Sequence, residues 1–112
     1  MLEAIAKLFR SEPSAKIEVF VRQVIDESVA DVAQLVAHQV EGMTLSEARG
    51  YVRARSAQIV RRQTRLAIHR HPHAAPDWSA SIVRTATERL VPLVLRQTGV
   101  GIPRQAANRT AA

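Results

Sequence analysis

Three of the chain's four histidines, His69, His71 and His73, fall within the stretch LAIHRHPHAAPDW, residues 66–78, and Asp77 follows them. Imidazole nitrogens and a carboxylate oxygen are ligands for zinc or nickel, and an extended backbone would set the alternate histidines on one side. The same residues also read as the end of a helix. Pro72 biases His71 toward extended backbone, and an imidazolium near a helix C-terminus is favoured by the helix dipole. Metal ligands must converge, and nothing in this spacing enforces convergence, so the helix end is the favoured reading and no cofactor is expected. His38 stands a helix length away in an antiparallel hairpin.

Other catalytic patterns are missing. Leu35 and Leu66 stand three residues before His38 and His69, where a di-iron bundle would place glutamates. No His-Glu-x-x-His motif, nucleophile elbow, phosphate loop or dinucleotide fingerprint occurs. Ser79 and Ser81 lie near His73 without anything to activate them. Glu27 and Asp31 form a carboxylate pair one turn apart, which reads as an arginine-facing surface pair. The absence of cysteine excludes disulfides, thiolate zinc sites and cysteine nucleophiles. A non-enzymatic protein is therefore expected. No apolar run approaches the roughly 20 residues of a membrane span, and charges intersperse the first ten residues too closely for a signal peptide. A cytoplasmic location is expected.

The arginines offer the other chemistry. Residues 1–41 hold seven acids against four cations, a charge of −3, whereas residues 42–112 hold twelve arginines against three acids, a charge of +9. Such asymmetry points to nucleic acid or another acidic partner. GC-rich codon usage also yields Arg-rich, Lys-poor chains, so the basicity has a compositional reading beside the functional one. Projected at 100° per residue, Arg53, Arg55, Arg61, Arg62 and Arg65 spread opposite one apolar stripe, with Arg49 and Arg70 at its edge. They form either a solvated face partly paired with Glu18, Glu27 or Asp31, or a phosphate-binding face. In the second case Arg53, Arg61, Arg62 and Arg65, joined by Arg104 and Arg109, would neutralise backbone phosphates in a salt-sensitive way. Base reading is not expected, because Phe9, Phe20, Tyr51 and Trp78 do not interleave with the arginines.

The elements that must carry these residues read as helices. A short amphipathic helix is expected over 2–10, interrupted by Ser-Glu-Pro-Ser, and a second over 14–40 ending at Gly42. Thr44-Leu45-Ser46-Glu47 has the form of a capping box and opens a third helix to about Arg70, with Leu45, Val52, Ile59 and Leu66 at seven-residue intervals. Gly50 inside it points to a close helix approach or a local irregularity. Asp77 or Ser79 caps a fourth helix to about Gln97, which Pro92 should kink or divide unless LVPLVL is extended. Residues 99–112 read as a loose basic tail on a single 1–98 domain.

The fold expected is therefore all-α: a long antiparallel helical hairpin with two shorter helices, resembling a bundle. The apolar residues of the second helix cover about half its circumference, more than one neighbour can bury. The short helices or a second copy would complete the core, and a homodimer or larger assembly through Phe20, Val24, Val32 and Leu35 follows from that face. The leading expectation is a helical protein-protein interaction or assembly module that binds itself. Nucleic-acid backbone binding through the arginines is the alternative.

Overall fold

A computed structural model of the chain describes residues 2–75 and 77–100, with side chains from residue 15 onward. Three helices account for almost all of it: α1 over Leu2–Val36, α2 over Leu45–Arg70 and α3 over Trp78–Thr98. The two helices expected over 2–10 and 14–40 are one. Their apolar positions stay in helical phase across Pro13 (Leu2, Ile5, Phe9, then Ile17, Phe20 and Val24), and no glycine offers an exit. At its other end α1 closes at Val36, and a turn over 37–42 follows. Gly42 makes the reversal at φ +82°, a left-handed conformation that favours glycine.

The capping box at Thr44 is formed as expected. The Glu47 amide donates to Thr44 Oγ1 and the Thr44 amide to Glu47 Oε1, each at 3.2 Å. At the far end His71 takes extended backbone before Pro72, and its amide donates to the Ile68 carbonyl. Pro92 does not end α3, although it forfeits one amide bond and crowds the preceding turn at about 3 kcal/mol. The buried residues on either side, Leu90, Val91, Val94 and Leu95, offset that cost at about 1.5–3 kcal/mol for each large apolar side chain removed from water. Gly99, at φ +78°, then turns the chain. Its amide donates to the Arg96 carbonyl and that of Val100 to Leu95, a Schellman arrangement in which Val100 also packs on the core.

All three pairs of helices pack against one another. Phe20 beside His71 and Glu27 beside Arg70 set α1 and α2 antiparallel. Arg53 beside Glu88, with Arg61 and Ser79 sharing a groove, does the same for α2 and α3. Glu18 beside Arg89, with Ile25 and Ala30 sharing a groove with Leu93 and Gln97, makes α3 run parallel to α1. The core between them is built from small and branched side chains: Val21, Val24, Val32 and Val36 of α1, Val52 and Val60 of α2, and Ile82, Leu90 and Val94 of α3.

Two expectations about α2 are corrected by this packing. Its buried stripe is Ala48, Val52, Ser56, Val60, Thr64 and Ala67, so of the seven-residue series only Val52 belongs to it. Leu45 and Leu66 are 45% and 41% exposed, and Ile59 is half-buried. Small residues let the helices approach, and the leucines fall to the flank. Ser56 and Thr64 are accommodated because their hydroxyls donate to the Arg53 and Val60 carbonyls of their own helix, at 3.0 and 2.7 Å. Gly50 marks neither a close approach nor an interruption: it is exposed inside a continuous helix, and a methyl group added there would meet nothing within 4 Å. No helix among the described residues is long and apolar enough to cross a membrane.

Candidate functional site

The outer face of α2 carries the arginines, and the structure separates them by partner. Arg53 reaches Glu88 of α3 at 3.3 Å, and Arg70 reaches Glu27 of α1 at 3.8 Å. On the other helices Arg22 and Arg89 share Glu18. Of the pairing expected between the arginines of α2 and the acids of α1, Arg70 with Glu27 is formed, whereas Arg53 turns to Glu88, Glu18 is taken by Arg22 and Arg89, and Asp31 takes no part among the described ion pairs. Glu18 is held below its ordinary value of 4.5, chiefly by the hydrogen bond from Arg89, whose own proton is held more tightly in turn.

Arg61, Arg62 and Arg65 form no ion pair among the described residues. They sit within about one turn of α2 and, with Gln58, Ile59 and Ser79, line a groove of about 580 Å³. Arg61 and Ser79 continue into an adjoining depression of about 530 Å³ that adds Arg84 and Asp77. Ser79 lies in the first turn of α3, where backbone amides point outward without partners in their own helix and carry partial positive charge. The Asp77 side chain does not cap them. Three guanidinium groups, a hydroxyl and a helix N-terminus thus converge on one concave surface, and Asp77 is the opposing negative charge at its edge.

This arrangement sorts the residues singled out from the sequence. Arg61, Arg62 and Arg65 come together. Arg53 is paired with Glu88 and is not among the residues lining the groove. Arg104 and Arg109 lie outside the described residues. Sequence reasoning missed Arg84 and took Ser79 as a helix cap or as an unactivated hydroxyl near His73. Their link to Arg61 depends on how α3 lies against α2, for which a single sequence carries no signal.

The candidate metal ligands are divided between two surfaces. His71 and His73 line an apolar groove with Phe20 and Trp78, whereas Asp77 lines the depression beside Arg61. His69 is exposed and lines neither. Among the described residues no three His, Cys, Asp or Glu side chains are grouped to hold a metal ion. The candidate self-association residues are divided as well: Val24 and Val32 are fully buried, Phe20 is 9% exposed, and only Leu35, at 40%, faces outward. Within residues 15–36, Val21, Val24, Val32 and Val36 of α1 are enclosed by the chain's own core, whereas Val19 and Leu35 are exposed. No known protein family, curated protein or solved structure matches this chain.

Proposed function

We propose that the chain is a helical binding module that holds the phosphate backbone of nucleic acid in the arginine groove, without reading bases. One observation carries this reading: Arg61, Arg62 and Arg65 line a common groove with no carboxylate partner among the described residues, while Arg53 and Arg70 on the same helix are each engaged. A guanidinium already bonded to a carboxylate must give up that bond to take a phosphate, whereas a free one presents its planar fork directly. The Ser79 hydroxyl and the first amides of α3 add uncharged donors. No aromatic side chain is among the described residues lining the groove, which favours binding to phosphates over stacking on bases. Of the residues expected to carry self-association, Phe20, Val24 and Val32 are buried and Leu35 is exposed.

Binding is tested by fluorescence anisotropy with labelled duplex and single-stranded oligonucleotides of unrelated sequence across a salt series. The expected result is similar affinity for each duplex sequence and a linear fall of log affinity with log salt. Replacing Arg61, Arg62 and Arg65 together by glutamine should lower the slope by about 0.9 for each duplex phosphate that is no longer neutralised. Arg53→Gln should leave it nearly unchanged. Salt-insensitive binding, no binding, or a triple variant equal to the wild type overturns the reading.

A further inference from the structure

A second groove, of about 410 Å³, opens where α1 passes the α2–α3 connection, and no arginine is among its described lining residues. Its floor is aromatic and braced. Phe20 meets His71 edge to face at a centroid distance of 5.2 Å and Trp78 at 6.0 Å, arrangements that hold rings in place. Beside them lies Val19, at 66% the most exposed large apolar residue of the described chain. Lys16, His71 and His73 stand among the lining residues, and among the described residues no acid does. The groove between α1 and α3 that includes Ile25, Val29 and Leu93 differs in this respect, because it carries both Asp26 and Arg96 and so prefers neither sign of charge.

We propose that the Val19–Phe20–Trp78 groove binds a small amphipathic carboxylate, with an apolar chain against Val19 and the two aromatic rings and its carboxylate at Lys16. An apolar floor with the Lys16 ammonium and no anion among the described lining residues complements that chemistry and opposes an apolar cation. The ammonium of Lys16 supplies a charge-assisted hydrogen bond that fixes the head, while the histidine rings supply polar edges beside it. The volume falls within the range of small-ligand sites, roughly 300–1,000 Å³, and the two braced rings mean the floor needs little ordering on binding.

Trp78 is the only tryptophan, so its fluorescence reports this groove directly. The full chain is titrated with decanoate below its micelle concentration and, separately, with decyltrimethylammonium. A saturable change with decanoate alone is expected. Lys16→Glu should weaken decanoate by about tenfold or more, the scale of a lost charge-assisted bond, and Val19→Asp should abolish the response. Both residues are exposed, so the helical circular dichroism of each variant should match the wild type. Equal responses to the anion and the cation, an undiminished response in Lys16→Glu, or no saturable response overturns the proposal. So does a ligand-free dimer by light scattering that Val19→Asp dissociates, since the groove would then be an interface between copies.

Discussion

The inner and outer faces of α2 are built from the same helix to opposite rules. Inward lie Ala48, Val52, Ser56, Val60, Thr64 and Ala67, all small or branched and none charged. Outward lie Arg55, Arg61, Arg62 and Arg65, without ion pairs among the described residues. The inner face gains stability from close packing, so any added volume or charge is felt. The outer face contributes little to folding, which leaves its charges available for binding. Where arginines do serve the fold, at Arg53 and Arg70, they sit at the margins of α2 and reach across to Glu88 and Glu27.

The sharpest way to break this comparison places the same side chain on each face, two residues apart. Val60→Asp buries an unpaired carboxylate at a fully enclosed position and should cost more than about 4 kcal/mol, enough to unfold a domain of this size. Arg62→Asp should stay within about 0.5 kcal/mol of the wild type, as surface substitutions do. Urea denaturation followed by circular dichroism measures both. Comparable losses in the two variants would mean that the arginine face is structural, and the phosphate-binding reading would lose its basis.

How much of this was legible in the sequence depended on how local each feature is. The capping box at Thr44 and Glu47 and the ends of α2 and α3 are set by neighbours within a few residues, and pattern reading finds them. The continuity of α1 across Pro13 was harder to see, because a local breaker outweighed an apolar phase that only a longer window reveals. The seven-residue series met the buried stripe only at Val52, because close packing of three helices favours alanine, serine and valine at those positions and leaves Leu45 and Leu66 exposed. The division of the arginines could not be read at all: whether Arg53 or Arg62 has a partner depends on Glu88 arriving from another helix. The apolar groove is hidden for the same reason, since Val19, His71 and Trp78 come from distant parts of the chain.

Gly50 sharpens the contrast from the side of stability. It is exposed on α2 with open space around it, so Gly50→Ala touches no neighbour and removes backbone freedom from the unfolded chain. A gain of about 0.5–1 kcal/mol is expected in urea denaturation. A loss would show that the outer face of α2 is packed more closely than its surroundings indicate. Asp77 sharpens it from the side of function. Asp77→Asn removes the one carboxylate beside Arg61 and Arg84 while keeping a residue type suited to a helix start. Oligonucleotide affinity should rise about twofold to fivefold, the scale of one charge near a helix N-terminus. Unchanged affinity at low salt would place the bound phosphates away from this end of the groove.

The smallest effect belongs to the charges that serve the fold. Glu18 is held below its ordinary value of 4.5 by Arg89, so the folded chain binds its proton less readily than the unfolded chain. The resulting stabilisation is present above pH 4.5 and is lost as pH falls through the lowered folded value. Glu18→Gln removes the linked proton, so its melting temperature should lie slightly below that of the wild type at neutral pH and converge with it in acid. Because Glu18 and Arg89 are both solvated, added salt should shrink the neutral-pH gap as well. A gap that persists in acid and in salt would assign the effect to packing of the Glu18 side chain between α1 and α3. The margins of α1 and α3 would then follow the rule of the inner face.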